Sequence, residues 1–401
     1  MQDVFVALFV LAAGTIAYTI AGYPCVLALL ARMRRLRTAA PGGAPRSVTV
    51  LMAVHNGEAW IARKLASLAA LDYPAQLVRI LVLDDGSTDQ TARIVRSVAD
   101  PRVELVTLPR GGKAAAINAG LAIARSDILF FTDVRQTLHP QSLRRIVGRF
   151  EDPRVGVVSG ELVIQGADQQ EETVGLYWRY EKWIRRHQSE IDAMTGATGC
   201  IYAMRRELAV PLPPAMLVDD MYLPLTAWLG GSRIVFEPEA KAYDGGTTPA
   251  EEFRRKVRTL AGNIQIVRAL PGLLAGSGRP RFHFVSHKMA RLVLPYAVLA
   301  VAVSSLALPS PLRTVMVGAQ GLFYALAALD SLVPAASRLK SLTSAPRTFV
   351  VLMAAAALAT PAALAGRGAV WRPSRIGSDA GPARIPAVRA ARWRRTAPVA
   401  R

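Results

Sequence analysis

Acidic residues directly follow two short apolar runs of this sequence, and a further acidic pair lies downstream. Asp84 and Asp85 follow VRILVL, Asp133 follows DILFFT, and Asp219 and Asp220 form the later pair. A single Asp at such a position is more often a turn residue or a helix cap, but its recurrence points to a ligand. Carboxylates accept hydrogen bonds from a base or ribose, hold a divalent cation on a diphosphate, and take protons. We therefore expect a nucleotide ligand.

The runs that carry these residues alternate with helical patterns. We predict four strands with helices between them, in the runs SVTVLMAV, VRILVL, VELVTLP and DILFF. This alternation is typical of right-handed βαβ units and predicts an α/β, Rossmann-like, mainly parallel sheet covered on both faces. In such sheets ligands bind at the carboxyl ends of the strands, where the polar residues of this chain collect.

Several other classes of site are excluded by motif and composition. No G-x-G-x-x-G follows the first strand, and the Gly111–Lys113 segment lacks the remaining residues of a phosphate-binding P-loop, so dehydrogenase and P-loop ATPase functions are disfavoured. The chain has only 2 Cys and 5 His, which excludes a disulfide scaffold and a cysteine-based zinc cluster. His283 and His287 have a metal-like spacing, but the sequence offers no third ligand for them.

The apolar residues are concentrated near the two ends of the chain. Residues 4–31 contain no charge and exceed the ~20 residues that a membrane-spanning helix needs. Residues 292–308 and 314–334 predict a second and a third span. For residues 348–366 the sequence leaves open whether they form a fourth, so it predicts two to three C-terminal spans. Arginines follow the first span, so the positive-inside rule predicts a multi-pass protein of the inner (plasma) membrane with a cytoplasmic central domain.

The distribution of charge argues against nucleic acid as a partner. The chain has a formal net charge of +20, whereas residues 46–281 contain 30 Lys and Arg against 26 Asp and Glu, a net of +4. A nucleic-acid-binding protein usually carries its basic excess on the folded domain. The flanking basic clusters instead match membrane topology signals, so we expect membrane lipid, and no nucleic acid, as a partner.

Composition changes along the chain predict its organisation. The predicted units are an N-terminal transmembrane helix at 1–31, a basic linker at 32–45, a central domain at 46–281 with halves 46–150 and 151–281, C-terminal membrane segments at 282–366, and a basic tail at 367–401 that we predict to be disordered.

Taken in order, the motifs of the central domain resemble those of a known family. SVTVLMAVHNG, ILVLDDGSTD, RGGKAAAINAG, DILFFTD, TGATGC, VDDMYLPL and EEFRRKVRTL are similar to segments of inverting family 2 glycosyltransferases with the GT-A fold. The resemblance covers about residues 46–270. The flanking spans also match the membrane-bound branch that resembles cellulose, hyaluronan and poly-N-acetylglucosamine synthases. The resemblance implies a GT-A cytoplasmic domain with one N-terminal and two to three C-terminal transmembrane helices.

The resemblance assigns roles on the donor side. Asp84 and Asp85 match the motif that holds the nucleobase and ribose of a nucleotide sugar, and Lys113 matches a basic position near the diphosphate. Asp133 matches the first residue of the D-x-D metal motif, whose second Asp is replaced by Arg135. We therefore expect a single-carboxylate site for Mg²⁺ or Mn²⁺, completed by phosphate oxygens and water.

On the reacting side, Asp220 matches the general base, and Asp219 would orient it. Arg258 matches the arginine of the Q-x-x-R-W motif and would stabilise charge on the departing diphosphate. The Trp of that motif is replaced by Thr259, which removes a stacking surface and puts processive synthesis in doubt. The segment at 195–200 lies where the family contacts its acceptor, and its acceptor-binding residues would be Gly196, Thr198 and Gly199.

The predicted function is an inverting glycosyltransferase of cell-envelope or polysaccharide biosynthesis. It would transfer a sugar from a nucleotide diphosphate donor, expected to be a UDP-sugar, to a glycan or lipid-linked acceptor. Two alternatives stay open at this point. One is a polyprenyl-phosphate glycosyltransferase, whose anionic acceptor needs no strong base. The other is a catalytically weak nucleotide-sugar-binding subunit of an export complex.

Overall fold

The computed structural model describes residues 2–33, 43–165, 176–246, 248–275, 278–334 and 337–364. Most of the predicted linker and the whole predicted tail at 367–401 lie outside the described residues. The strands are β1 (Val48–Val54), β2 (Val78–Asp85), β3 (Val103–Leu108), β4 (Ile128–Phe131), β5 (Thr137–Leu138), β6 (Val155–Gln165), β7 (Tyr202–Arg205) and β8 (Arg233–Gly245).

The helices fall into an apolar set at the two ends of the chain and a central set around the sheet. They are α1 (Gln2–Ala17), α2 (Tyr23–Met33), α3 (Glu58–Ala69), α4 (Thr91–Arg96), α5 (Lys113–Ile123), α6 (Ser142–Gly148), α7 (Leu176–Ile191), α8 (Asp219–Leu229), α9 (Pro249–Ala269), α10 (Gly272–Ala275), α11 (Arg279–His283), α12 (Ala290–Ser305), α13 (Leu312–Leu329) and α14 (Lys340–Leu364). Single π turns join α1 to α2 (Tyr18–Gly22) and α11 to α12 (Phe284–Met289).

The eight strands of the described chain form one mixed sheet in the order β3-β2-β1-β4-β7-β6-β8-β5. The pairs β2–β3, β1–β2, β1–β4 and β6–β8 are parallel, whereas β4–β7, β6–β7 and β5–β8 are antiparallel. The predicted Rossmann-like, mainly parallel sheet is confirmed. The antiparallel insertion of β7 was not predicted, since its short run YAMR has no distinctive alternation.

Both faces of the first strands are buried, as their uninterrupted apolar runs predict. On β1, Val50 and Met52 belong to one core cluster and Leu51 to the other. On β4, Phe130 and Phe131 divide between the clusters in the same way. Successive side chains point to opposite faces, so a strand covered by helices on both sides must be apolar at every position.

The strand register brings the carboxyl ends of the central strands to one edge. Val54 pairs with Asp84, and Leu51 pairs with Phe131, two residues before Asp133. After β2, α4 begins at Thr91. The Thr91 hydroxyl accepts a hydrogen bond from the Gly57 amide (2.8 Å), which ties the loops after β1 and β2 together.

Four helical segments are long and apolar enough to cross a membrane: Gln2–Met33, Pro280–Ser305, Leu312–Leu332 and Lys340–Leu364. The last includes most of the segment that the sequence left open, and by length and composition it meets the requirement for a span. The first two pack together where their π turns meet, since the Tyr18 hydroxyl lies 2.7 Å from Ser286 Oγ. Within the described part of the chain, α13 has no buried residue, so most of its apolar surface lies outside the packed core.

Candidate active site

Lys113 lies between two carboxylates at the carboxyl edge of the sheet. It begins α5, and its Nζ is 3.0 Å from Asp133 Oδ1 and 3.1 Å from Asp219 Oδ1. Burial by itself lowers the pKa of Lys113, but the charges of Asp133, Asp219 and Asp220 outweigh it and raise the pKa above its ordinary value. Lys113 is therefore a permanent cation, and it connects the end of β4 to the start of α8.

The acidic pair begins α8, where the helix dipole favours negative charge. Asp219 is 4% exposed, and its Oδ2 is buried without a hydrogen-bond partner among the described residues. Burial, followed by the charge of Asp219, raises the pKa of Asp220 to about 6, although Lys113 opposes this change. A carboxylate with such a pKa is ionised at neutral pH and is a much stronger base than an ordinary Asp, which is the property expected of a general base.

The segment predicted to contact the acceptor packs directly on this pair. The Ala197 amide donates to the Asp220 carbonyl (2.8 Å), and the Thr198 amide donates to Ser159 Oγ (2.9 Å). A Cβ at Gly199 would lie 2.8 Å from Asp220 Oδ2, so only glycine lets the backbone approach the carboxylate this closely. Gly196 has a φ of +138°, which also favours glycine. The structure thus brings the predicted acceptor residues beside the predicted base.

Substituting Ala at Gly199 tests this close approach. Gly199→Ala is expected to displace the Asp220 carboxylate and to lower kcat by about ten- to a hundredfold, because displacement by about 1 Å is enough for such a loss. Binding of the nucleotide donor should be unchanged. The measurement is steady-state kinetics together with equilibrium donor binding. Gly318→Ala is the matched control, since a Cβ there meets no atom within 4 Å. An unchanged kcat in Gly199→Ala would contradict the proximity argument.

The two predicted nucleobase and ribose ligands are buried and also hold loops. Asp84 is 1% exposed, and its Oδ1 accepts a hydrogen bond from the Ser87 amide (3.0 Å). Asp85 Oδ1 accepts from the amides of Gly111 (2.7 Å) and Gly112 (2.9 Å), and its Oδ2 is ion-paired with Arg110. Asp85 therefore fixes the loop that leads into Lys113. Their contact with a donor remains a prediction.

Arg258 reaches the site from α9. This helix begins with a capping box at Thr248, and it approaches α8 closely: a Cβ at Gly262 would lie 2.6 Å from Val218 Cγ1. Gln265 Oε1 also accepts a hydrogen bond from the Leu217 amide (3.0 Å). One turn before Gly262, Arg258 lies within electrostatic range of Asp220. Its guanidinium is exposed and available to an anion.

Arg135, which replaces the second Asp of the D-x-D motif, forms an ion pair of its own. Arg135 is ion-paired with Asp244, a residue of β8 that is 3% exposed and also accepts a hydrogen bond from Gln136 Nε2 (2.8 Å). In the described ranges, no group of three or more His, Cys, Asp or Glu is arranged to hold a metal ion. The Asp133 side chain is 39% exposed, so it suits one-carboxylate ligation of a cation that donor phosphates and water complete.

A buried lysine that sequence reasoning missed supports the loop of Asp133. Lys64 of α3 is 1% exposed and donates to Thr132 Oγ1 (2.6 Å) and to the Gln136 carbonyl (2.7 Å). Burial lowers the pKa of Lys64 to about 8. Its position on the apolar face of the α3 pattern was the only sequence signal, since a lysine there must find polar partners inside the core.

Comparison with known proteins agrees with this geometry. Residues 49–210 match the family model described as Glycosyl transferase family 2. A beta-monoglucosyldiacylglycerol synthase from Nostoc sp. is 29% identical over 196 residues, which are 47% of this chain and 42% of that protein. An N-acetylglucosaminyltransferase from Sinorhizobium fredii is 26% identical over 293 residues, 67% of this chain and 70% of that protein. The chain thus spans less than half the length of the Nostoc relative.

Among solved structures, a mannosyltransferase from Pyrobaculum calidifontis, in complex with GDP-Man and Mn²⁺, superposes with a TM-score of 0.72. The match covers 90% of this chain and 98% of that chain at 21% sequence identity, so it establishes a shared fold. Sheet topology, motif order and the family match agree, and this chain carries a glycosyltransferase family 2 domain with the GT-A fold.

Proposed function

We propose that this protein is a membrane-bound, inverting glycosyltransferase that moves a sugar from a nucleotide diphosphate donor to a hydroxyl of a glycan or lipid-linked acceptor. The observation that carries the proposal is Asp220: a carboxylate with a pKa of about 6, set against Gly199 of the predicted acceptor segment and beside the cations Lys113 and Arg258. A base next to an anion-binding group is the arrangement that displacement of a diphosphate by a hydroxyl requires.

In the proposed reaction, the Asp220 carboxylate takes the proton of the acceptor hydroxyl as that oxygen attacks the anomeric carbon. The bond from the anomeric carbon to the diphosphate oxygen breaks on the opposite side of the sugar, which inverts the configuration. The electron pair of that bond leaves with the nucleoside diphosphate. Lys113 and Arg258 stabilise the charge that develops there, with Lys113 held in place by Asp133 and Asp219.

In this proposal, one protein side chain would bind a divalent cation. Asp133 would hold Mg²⁺ or Mn²⁺ together with donor phosphate oxygens, and the cation would neutralise diphosphate charge. Arg135 is engaged by Asp244 and does not compete for Asp133. The Mn²⁺ in the Pyrobaculum mannosyltransferase complex supports this part of the proposal.

The names of the relatives support a sugar-nucleotide donor and an acceptor at a membrane. One relative is named a beta-monoglucosyldiacylglycerol synthase, and the Pyrobaculum enzyme is in complex with GDP-Man. Four candidate spans are consistent with a multi-pass protein of the plasma membrane, and the basic residues after the first span support a cytoplasmic catalytic domain. We propose a UDP-sugar as donor, used in cell-envelope or polysaccharide biosynthesis.

The test is release of nucleoside diphosphate from a panel of UDP- and GDP-sugars by membranes that contain the full chain, with Mg²⁺ or Mn²⁺ present. We expect one donor to be consumed well above the background of membranes without the protein. If only a GDP-sugar were consumed, the donor would be a GDP-sugar and not the proposed UDP-sugar. Donor binding without release with any acceptor would contradict the proposal and favour the binding-subunit alternative.

A further inference from the structure

A buried hydrogen-bond network joins two candidate membrane spans to the predicted acceptor segment, residues 195–200. Its members come from separate parts of the chain: Tyr23 begins α2, Gln188 lies on α7, His287 lies in the π turn before α12, and Thr195 begins the acceptor segment. Tyr23 and His287 belong to the first and the second candidate span. All four residues are at most 3% exposed. Polar groups at this depth must bind one another, because leaving them unpaired away from water is costly.

Gln188 is at the centre of this network. Its Nε2 donates a hydrogen bond to the Tyr23 hydroxyl (2.7 Å), and its Oε1 accepts one from the Thr195 amide (3.4 Å). A hydroxyl that accepts from Gln188 keeps its own proton for His283 Nδ1, which lies 3.0 Å from it. The first candidate span is thereby linked to the acceptor segment through one side chain of α7.

The imidazole of His287 also holds the start of the acceptor segment. Its Nδ1 lies 3.1 Å from Thr195 Oγ1 and 3.4 Å from Gln188 Nε2. Because Gln188 Nε2 is a donor, Nδ1 acts as the acceptor and the ring proton is on Nε2, which faces Glu181 Oε2 at 3.7 Å. The two histidines with metal-like spacing, His283 and His287, thus bind protein side chains through both Nδ1 atoms.

The position of Thr195 matters because the acceptor segment packs on Asp220. The Ala197 amide donates to the Asp220 carbonyl (2.8 Å), and the backbone of Gly199 lies against the Asp220 carboxylate. The last carbonyl of the segment accepts a hydrogen bond from Thr132 Oγ1 (2.8 Å), so the far end is fixed by the sheet. A shift of Thr195 would therefore move the backbone that faces the predicted base, and misplacement by about 1 Å is enough to lower a rate strongly.

We propose that Tyr23, Gln188 and His287 are positioning residues that hold the acceptor segment against the predicted base, which makes the first candidate span part of the catalytic unit. They act through Thr195 rather than on the substrate. Each hydrogen bond satisfies a buried group of the next residue, so removing one hydroxyl leaves its partners unsatisfied and loosens the segment. The effect on the reaction rests on the proposed function, whereas the order of the acceptor segment can be measured without it.

Tyr23→Phe removes one buried hydroxyl from the purified full chain in detergent. We expect peptides that cover residues 195–200 to exchange amide hydrogen for deuterium about tenfold faster than in wild type, because one buried hydrogen bond has about this effect. The kcat for nucleoside diphosphate release should fall about tenfold, with the donor KM within about twofold of wild type. Tyr18→Phe is the matched control: the Tyr18 hydroxyl bonds to Ser286 of the second span (2.7 Å), outside the chain of bonds from Tyr23 to Thr195.

His287 gives a second test, because its hydrogen bond can be removed and restored. His287→Leu removes the acceptor for Thr195 and should show the same faster exchange and lower kcat. In His287→Asn the amide oxygen can lie where Nδ1 lies, so this variant should recover most of both losses. A residue that only fills space would behave in the opposite order, since Leu is closer to His in volume than Asn is.

The outcomes separate the inference from the proposed function. Wild-type exchange in Tyr23→Phe, or equally fast exchange in Tyr18→Phe, would overturn the inference. Better recovery by His287→Leu than by His287→Asn would reduce His287 to packing. Faster exchange with an unchanged kcat would overturn the link to the reaction. Faster exchange in Tyr23→Phe, in a protein whose wild type releases no nucleoside diphosphate, would leave the positioning of the segment standing and contradict the proposed function instead.

Discussion

Asp220→Asn is expected to lower sugar transfer by about 10³-fold while leaving donor affinity within a few-fold of wild type. The amide has the shape of the carboxylate but takes no proton, so only the deprotonation of the acceptor is lost. The measurement is nucleoside diphosphate release under single-donor conditions, with equilibrium donor binding measured on the same preparation. Asp72→Asn is the matched control, because Asp72 is an exposed carboxylate paired with Arg144.

The pH dependence gives a second measurement on the same residue. With a pKa of about 6 for Asp220, kcat/KM should fall toward tenfold per pH unit below pH 6 and reach a plateau above it. The raised pKa also affects stability, since the fold disfavours the ionised form. Between pH ~4, the ordinary range for Asp, and pH 6, the contribution of Asp220 to stability decreases as pH rises. Asp220→Asn should therefore be more stable than wild type above pH 6 and equal to it below pH 4.

Three results would exclude this role for Asp220. Transfer that persists in Asp220→Asn would show that the acceptor needs no base, as in transfer to a phosphate oxygen. A wild-type profile without a transition between pH 5 and 7 would show that Asp220 does not titrate in the reaction. Loss of donor binding in parallel with activity would place Asp220 in the donor site instead.

Lys113→Met is expected to weaken binding of a nucleoside diphosphate by about ten- to a hundredfold, because a charge-assisted contact to phosphate is lost. The substitution also leaves Asp133, Asp219 and Asp220 without their shared cation. The variant should therefore have a lower Tm than wild type at pH 8. This difference should shrink toward pH 5, since Asp220, whose pKa is about 6, then takes a proton and the repulsion among the three groups decreases.

Equilibrium binding of UDP and GDP, together with thermal unfolding at pH 5 and pH 8, measures both effects. Lys340→Met is the matched control: Lys340 Nζ is likewise paired with a carboxylate, 3.0 Å from Asp330 Oδ2, but it lies at the start of α14. We expect the control to bind nucleotide like wild type. If Lys113→Met bound nucleotide with wild-type affinity, Lys113 would not be a donor-binding residue, whatever the effect of the substitution on stability.

The features of the molecule that depend on local residue pattern are predictable from the amino-acid sequence. Runs such as VTVLMAV are apolar at every position, so they predict strands buried on both faces, as β1 is. Parallel strands place their carboxyl ends at one edge, so the strand pattern predicts that Asp84 and Asp133 lie at the same edge of the sheet. The membrane segments were equally predictable, because length and apolarity alone define a candidate span.

Which side chains meet at the site depends instead on how distant elements pack together. Lys113 and Asp219 lie far apart in the chain, and their 3.1 Å contact depends on how α5 and α8 pack on the same sheet. The approach of Gly199 to Asp220 also joins separate elements. A residue pattern reports burial and backbone conformation, which are local. Distances between charges, and hence the raised pKa of Asp220, arise from packing between elements, which no local pattern encodes.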